Sequence, residues 1–143
     1  MKWHPLMVRL IRGASGLHTR LFRAVGGRGL LGRHTLLLTT RGRKTGRDTA
    51  IPLFYVEDAG RFYVVASFGG NDTPPGWYRN LLAHPEVTVE VGGTRRRYRA
   101  RSLEPAEAAP VWPTLLAMYP TYADYQKRTT RVIPVVELSP IAG

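Results

Sequence analysis

The segment from residue 41 to residue 47, R-G-R-K-T-G-R, places four cationic side chains between two apolar runs. Gly42 and Gly46 allow the backbone to turn tightly where residues with a side chain would clash. Neighbouring positive charges repel one another unless a counter-charge is bound. The segment therefore predicts either an anion-binding turn or an exposed basic hairpin tip.

The same segment differs from the phosphate-binding P-loop that its lysine and threonine partly resemble. A P-loop has a glycine six residues before its lysine, and Leu38 stands there, while Arg43 takes the place of the second glycine. A P-loop also leads into a helix, whereas the pattern after this turn is that of a strand. We therefore exclude hydrolysis of nucleoside triphosphates.

A second candidate is the glycine-rich stretch A-S-F-G-G-N-D-T-P-P-G-W-Y-R-N-L at residues 66–81. Ser67 stands at the end of a predicted strand, and a glycine pair follows it. Such a loop exposes backbone N–H groups and lets a flat ring approach the main chain. Trp77 offers an apolar wall for the ring, although a loop closed by a core tryptophan has the same pattern.

A third candidate is the row formed by Tyr119, Tyr122 and Tyr125, which lie three residues apart. On a helix this spacing places the phenols along one side. Hydroxyls beside a pocket can donate hydrogen bonds or protons, but an unperturbed phenol is a weak acid at neutral pH. An aromatic packing stripe is the alternative interpretation.

A fourth candidate is the segment T-R-R-R-Y-R-A-R at residues 94–101, where alternate arginines share one face of a predicted strand. The four arginines of that face are Arg95, Arg97, Arg99 and Arg101. Basic residues with an interleaved aromatic can bind single-stranded nucleic acid. A solvated strand face is the more common explanation, so we expect no nucleic-acid partner.

Composition narrows the class of protein. The 143 residues suit one domain with a core, and the absence of cysteine excludes disulfides, thiolate metal sites and cysteine nucleophiles. The four histidines are scattered without ligand spacing, so we expect no metal. No apolar run is long enough to span a membrane, and no signal-peptide core is apparent, so we expect a cytoplasmic protein.

The net charge of +11 is concentrated near the N-terminus, because residues 1–47 contain eleven Lys or Arg and no acid. This asymmetry predicts a polyanionic partner. Residues 1–33 are interpreted as a basic amphipathic helical segment that precedes the main domain at residues 34–143. The segment either covers one end of that domain or binds an anionic membrane on its inner face.

Hydrophobic periodicity predicts a mainly β (α+β) domain with about six antiparallel strands and short helices. The predicted strands are residues 34–40, 48–56, 61–67, 86–91, 94–101 and 132–138. The predicted helices are residues 76–83, a helix capped by Ser102 that runs toward Met118 and is interrupted by Pro110 and Pro113, and a helix within 119–128. Pro52 places the second strand at a sheet edge or bulge. The combination predicts a small barrel with helices across its openings.

In this order the motifs resemble the deazaflavin (coenzyme F420)-dependent nitroreductase and quinone reductase family of actinobacteria. The resemblance runs from His34 to Leu138 and is carried by T-T-R-G-R-K-T-G-R with I-P-L, V-V-A-S-F-G-G, P-x-W-Y-x-N-L-x-A-x-P, V-x-V-x-V-G, the spaced tyrosines and I-P-V-V-E-L. It implies a split β-barrel of the FMN-binding type. Thr49 and Phe68 depart from the family pattern, in which basic residues can occupy these positions.

The resemblance implies hydride transfer from reduced F420 to an electron-poor quinone, enone or nitroaromatic, with the catalytic residues Tyr122, Tyr125 and Ser67. Tyr119 would complete the substrate pocket with the two other tyrosines. The implied cofactor-binding residues are Arg43, Lys44, Thr45, Arg47, Ala66, Ser67, Gly69, Gly70, Pro75, Gly76, Trp77 and Asn80.

Two alternatives remain open at this point. The chain could be a basic module for nucleic acid or an anionic membrane surface, although that hypothesis leaves the glycine loop and the tyrosine row without a role. It could also be a relative that binds FMN, whose single phosphate needs fewer cations than the turn provides. Both a monomer and a homodimer are compatible with the sequence.

Overall fold

The computed structural model describes residues 34–142. The predicted N-terminal helical segment at residues 1–33 lies outside the described residues. Seven strands and four α-helices follow one another along the described part of the chain. They are β1 (Thr35–Arg41), β2 (Asp48–Phe54), β3 (Val56–Asp58), β4 (Arg61–Val65), α1 (Gly76–Ala83), β5 (Glu86–Val91), β6 (Thr94–Ser102), α2 (Pro105–Ala108), α3 (Trp112–Met118), α4 (Thr121–Lys127) and β7 (Val135–Pro140).

The strands form one antiparallel sheet in the order β2-β1-β5-β6-β7-β4-β3. β2 is an edge strand, as Pro52 predicts, because an edge position does not require the missing N–H. β2 also contacts β4 across the open side of the sheet, so the sheet curls into an incomplete barrel. The gap between these two strands leaves the barrel wall open on one side.

The prediction of one strand over residues 48–56 was wrong. The chain leaves β1 after Phe54, and β3 begins at Val56 and pairs with β4 instead. The sheet therefore has seven strands rather than about six. The apolar run gave no sign of this change of partner, because both strands have the same extended, partly buried pattern.

β4 separates two apolar clusters by the alternation of its side chains, as a strand buried on both faces requires. Phe62 and Val64 point into the barrel, where Trp77 and Leu81 of α1 also pack. Val65 and its neighbour Tyr63 pack on the opposite face against the short helices α2 to α4. Helices α2, α3 and α4 thus lie outside the barrel wall, whereas α1 packs against the barrel interior.

The predicted N-cap at Ser102 was also wrong. Ser102 belongs to β6, and its hydroxyl lies 2.8 Å from the Tyr78 hydroxyl of α1. The first helical turn after β6 is instead capped at Glu104, whose backbone N–H donates to the Glu107 side chain at 3.0 Å. The predicted interruption at Pro110 is confirmed, since Pro110 lies between α2 and α3, but Pro113 lies within α3 and does not interrupt it.

Between β4 and α1 the chain makes a 3-10 turn at Phe68–Gly70 that packs against α4. Gly70 has a φ of +81°, and a Cβ there would lie 2.4 Å from the Tyr125 carbonyl oxygen. Gly69 has a φ of +63°, but a Cβ there would meet nothing within 4 Å. The loop therefore approaches α4 as closely as a glycine permits.

These two glycines give a matched pair of variants. We expect Gly69→Ala to lower the free energy of unfolding by about 1–2 kcal/mol through its left-handed backbone alone. Gly70→Ala adds the steric overlap with Tyr125. It should therefore lower the free energy of unfolding by at least ~1 kcal/mol more than Gly69→Ala does. Urea unfolding measures both, and equal losses would contradict the close packing.

Candidate active site

The gap in the barrel is a cleft of about 760 Å³ between β2, the end of β4, the start of α1 and the tyrosine helix α4. Its walls come from four separate parts of the chain. They are residues 49–54, residues 65 and 67–69, residues 75–77, and the three tyrosines Tyr119, Tyr122 and Tyr125. Thr35 from β1 also lines the cleft. The sheet thus supplies a concave site without breaking its own hydrogen-bond ladder.

Eight of the residues proposed from the sequence line this cleft, although they are up to 58 positions apart (125 − 67). They are Ser67, Gly69, Pro75, Gly76, Trp77, Tyr119, Tyr122 and Tyr125. The glycine loop and the tyrosine row therefore face one space, as a shared ligand site requires.

Three proposed residues lie behind the cleft wall instead. Ala66 is fully buried, and its backbone N–H donates to the Pro134 carbonyl. Gly70 packs on the backbone of Tyr125, and Asn80 is buried beneath the basic turn. These residues shape the walls and do not line the space between them.

The wall formed by β2 is a part of the site that the sequence motifs do not predict. Residues 49–54 line one side of the cleft, and the ring of Phe54 packs edge-on against that of Tyr119 with centroids 5.2 Å apart. Thr49, noted only as a departure from the family pattern, belongs to this wall. The available signal was Pro52, since an edge strand leaves backbone groups without a partner strand.

The glycine loop has an unusual backbone beside the cleft. Phe68 has a φ of +45° and Gly69 a φ of +63°, so a residue with a side chain adopts a conformation that normally favours glycine. Such strain is typical of ligand sites. Within residues 34–142 the N–H groups of Ser67, Phe68 and Gly69 donate no hydrogen bond, nor does the Ser67 hydroxyl. The loop can therefore bind the polar edge of a flat ligand.

The tyrosine row is both a packing stripe and a source of hydroxyls. Tyr122 is 5% exposed and packs edge-on against Trp112 of α3, with ring centroids 6.5 Å apart. The hydroxyls of Tyr119 and Tyr125 lie 3.0 Å apart, within hydrogen-bond distance. In residues 34–142 the Tyr122 hydroxyl has no hydrogen-bond partner, so it is available to a ligand in the cleft.

The environment keeps these phenols protonated. Burial raises the pKa of Tyr122 well above its ordinary value, with a smaller contribution from the two neighbouring phenols. The hydrogen bond with Tyr119 is the main cause that raises the pKa of Tyr125. At neutral pH both hydroxyls are therefore neutral donors, suited to stabilising negative charge on a ligand and not to acting as bases.

The basic turn is held in shape by its own backbone. The Gly42 N–H donates to the Arg47 carbonyl at 2.7 Å, and the Gly46 N–H donates to the Gly42 carbonyl at 2.9 Å. The Thr45 hydroxyl accepts the Arg47 N–H at 3.2 Å. Thr45 thus supports the turn, and the exposed cations around it remain available to a ligand.

Asn80 fixes the turn to the rim of the cleft. Its Oδ1 accepts the backbone N–H of Arg43 at 3.2 Å and an Arg43 guanidinium N–H at 2.9 Å, while its Nδ2 donates to Thr40 Oγ1 at 3.1 Å. The same guanidinium donates to the carbonyl of Gly76, a cleft residue, at 3.4 Å. The basic turn and the cleft are therefore adjacent.

The cations of the turn lack acidic partners in the part of the chain that is described. Arg43, Lys44 and Arg47 are exposed and form no salt bridge within residues 34–142. Such a cluster suits a ligand with several negative charges, which would reduce the mutual repulsion. The residues present therefore fit a molecule with a flat polar ring and an anionic tail.

The other arginine-rich surface, on β6, is partly neutralised. Arg97 and Arg99 both pair with Glu86, and Arg101 pairs with Glu107 and Glu137. These contacts weaken the case for a nucleic-acid surface there. In residues 34–142 no group of three potential metal ligands comes together, and no helix is long and apolar enough to cross a membrane.

Comparisons with known proteins agree with this arrangement. A family model described as F420H(2)-dependent quinone reductase matches residues 15–140. An F420H(2)-dependent quinone reductase of Mycobacterium tuberculosis strain H37Rv is 36% identical over 141 residues, which cover 92% of this chain and 91% of the relative.

Two solved structures are similar in fold and sequence. An F420-H2 dependent reductase (FDR-A) is 40% identical with a TM-score of 0.68, and the match covers 73% of this chain and 93% of that one. A structure described as a domain-swapped dimer is 34% identical with a TM-score of 0.69, covering 89% and 99%. The expected split β-barrel is confirmed by these matches.

The raised pKa of Tyr122 predicts a pH dependence of stability. The fold stabilises the neutral phenol, so its contribution is complete below the unfolded pKa of about 10 and is lost as pH rises beyond it. The difference in unfolding free energy between wild type and Tyr122→Phe should be constant from about pH 6 to 9. Above about pH 10 the wild type should lose stability relative to the variant. Denaturant unfolding at each pH measures the difference, and a change that begins below pH ~9 would contradict a buried neutral phenol.

Proposed function

Because this chain belongs to the family of F420H(2)-dependent quinone reductases, we propose that the cleft between β2 and α4 holds the coenzyme beside its acceptor. The chain is an oxidoreductase that uses F420 to transfer a hydride to a quinone. The expectations of F420 rather than FMN and of an enzyme rather than a binding module are confirmed. The roles proposed for individual residues rest on the contacts in and around the cleft.

One observation carries the assignment of the site. At the rim of the cleft lie cations that form no salt bridge within residues 34–142, and its interior has hydrogen-bond donors that have no acceptor in the same residues. Arg43, Lys44 and Arg47 would hold the phosphate and glutamate tail of F420 through charge-assisted hydrogen bonds. Asn80 would keep these residues in place through its bonds to Arg43. The tail is a polyanion, so an exposed cationic turn suits it better than a closed pocket would.

The ring would lie in the cleft against the glycine loop. When bound, reduced F420 supplies a hydride from its ring carbon, and the protein supplies position and electrostatics. The N–H groups of Phe68 and Gly69 and the Ser67 hydroxyl would bind the polar edge of the ring. Trp77 is 7% exposed and provides an apolar wall that excludes water from one side.

The tyrosines would bind the acceptor. A quinone oxygen gains negative charge as the hydride arrives, and a neutral hydroxyl placed beside it stabilises that charge. Tyr122 offers a hydroxyl with no other partner in the described part of the chain, and Tyr119 and Tyr125 offer a bonded pair. Because these phenols are weak acids, their first role is hydrogen-bond donation, and water reaching the open cleft replaces any proton they give up.

The N-terminal segment at residues 1–33 would bring the enzyme to its acceptor. Quinones dissolve in membranes, and a basic amphipathic segment binds anionic lipid. Peripheral attachment to the inner face of the membrane is therefore part of the proposal. The relative that forms a domain-swapped dimer also makes a homodimer the first assembly to test, by light scattering.

The role of Lys44 can be tested with two ligands. Lys44→Ala should raise the Kd for oxidised F420 by about tenfold, since one charge-assisted contact contributes about 1–2 kcal/mol. For a deazaflavin that lacks the phosphate and glutamate tail, the same variant should bind as wild type does. Visible-spectrum titration at low salt gives both constants, with Lys127→Ala as a control of equal charge change. An equal loss for both ligands would contradict a tail-binding role.

The role of Tyr122 can be tested by turnover. Tyr122→Phe should lower kcat with a quinone about 10- to 100-fold while leaving the Kd for oxidised F420 within a factor of about two. The fold should be preserved, because the lost hydroxyl has no protein partner in residues 34–142. Tyr98→Phe, on the barrel-side cluster, is the matched control and should keep wild-type kcat. Unchanged turnover in Tyr122→Phe would exclude this hydroxyl from the reaction.

A further inference from the structure

Arg131 lies just after α4 and holds the glycine loop from behind. Its Nη2 donates to the carbonyls of Ala66 at 3.2 Å and Ser67 at 2.9 Å. Its Nε donates to the carbonyl of Asn71 at 2.8 Å. One guanidinium thus spans both ends of the loop that supplies the donors of the site. The family resemblance and the sequence motifs assign no role to this residue.

The Arg131 guanidinium binds backbone carbonyls instead of a carboxylate. Arg131 is only partly exposed, and within residues 34–142 it forms no salt bridge with a carboxylate. Burial lowers the pKa of Arg131, the nearby Asp72 carboxylate partly offsets this effect, and the group stays protonated. The acceptors of the guanidinium hydrogen bonds in residues 34–142 are therefore three backbone carbonyls of the loop, those of Ala66, Ser67 and Asn71.

The geometry of the peptide unit links Arg131 to the cleft. Because the peptides here are trans, the C=O and N–H of each unit point in opposite directions. The Ala66 and Ser67 carbonyls bind the guanidinium, so the Ser67 and Phe68 N–H groups point away from it. A cation at the carbonyl end polarises the unit and strengthens its N–H as a donor. Those two N–H groups have no acceptor in the described residues.

We propose that Arg131 is a positioning residue that fixes and polarises the Ser67 and Phe68 peptide units, so that their N–H groups bind the polar edge of the deazaflavin ring. This inference rests on the proposed function. It also gives a reason for the strained backbone at Phe68, which has a φ of +45° and lies between the carbonyls of Ser67 and Asn71 that Arg131 binds. The neighbouring Thr129 hydroxyl donates to Asp72 at 2.8 Å and joins the same segment to α4.

Arg131 acts on the ring and Lys44 on the tail, so the two ligands distinguish their roles. Arg131→Met keeps the length of the side chain without its charge and donors. It should raise the Kd at least tenfold both for oxidised F420 and for the tail-less deazaflavin. Arg131→Lys keeps the charge without the fork of donors and should show a smaller rise, about three- to tenfold, for both ligands. Arg61→Met, at the start of β4, should bind both ligands as wild type does.

A second measurement needs no coenzyme. Amide hydrogen exchange on the free protein should be faster in residues 66–71 of Arg131→Met, while the strands β5 and β6 keep wild-type rates. If Arg131 only stabilises the loop, its substitution would lower Tm and speed amide exchange, but neither Kd would change at temperatures below Tm. That result in Arg131→Met would overturn the polarising role. If Arg131→Met fails to fold, the same result in Arg131→Lys would overturn it.

The outcomes also separate this inference from the proposed function. If wild-type protein binds neither ligand at micromolar concentration and low salt, the proposed site is wrong, and unchanged exchange at residues 66–71 in Arg131→Met would then refute the positioning role as well. If wild type binds both ligands and the Arg131 variants bind them equally well, only the inference about Arg131 fails. A rise in Kd confined to the tailed coenzyme would place Arg131 with the cations of the turn and also overturn it.

Discussion

The close contact between the glycine loop and α4 is the constraint on which the site depends. Gly70 touches the Tyr125 backbone at a distance that no side chain permits. This contact sets the spacing between the loop that offers N–H donors and the helix that offers hydroxyls. The same approach brings Arg128 over the ring of Tyr125, with 5.4 Å from its guanidinium carbon to the ring centroid, and next to the Gly69 carbonyl at 3.4 Å. These contacts fix the position of the glycine loop relative to α4, and with it the width of the cleft between them.

The sheet contributes the third wall by remaining open. A closed barrel would pair β2 with β4 and fill its interior with side chains. Here β2 stays an edge strand, and its residues face the cleft with backbone groups that no partner strand uses. Edge strands invite aggregation unless they are covered or interrupted. Pro52 limits that risk because it lacks a backbone N–H to donate to another strand, and residues 49–54 of β2 line the cleft.

Much of the fold could be predicted because strand alternation and turn residues are local signals. The bounds of α1 and β5 agree with the prediction, since Pro75 and the Gly92-Gly93 turn mark them in the sequence. The break between β2 and β3 could not be predicted, because the choice of partner strand is a tertiary property. The cap at Glu104 was missed for a different reason: Ser102 is a good cap by type, but pairing in β6 takes precedence.

The same distinction applies to the site. Residue types identified the glycine loop, the tyrosine row and the basic turn, but only the structure shows that Asn80 and Arg131 act from behind these elements. The family resemblance included Asn80 as a cofactor-binding residue, but the partners of both side chains are groups far along the chain, so no spacing in the sequence reveals these contacts. Under the proposed function, their arrangement would let one cleft bind two chemically different parts of a coenzyme. In the proposed function, Asn80 would orient cations for a flexible anionic tail at the rim. Arg131 would keep the backbone rigid where a flat ring must be positioned within a fraction of an ångström.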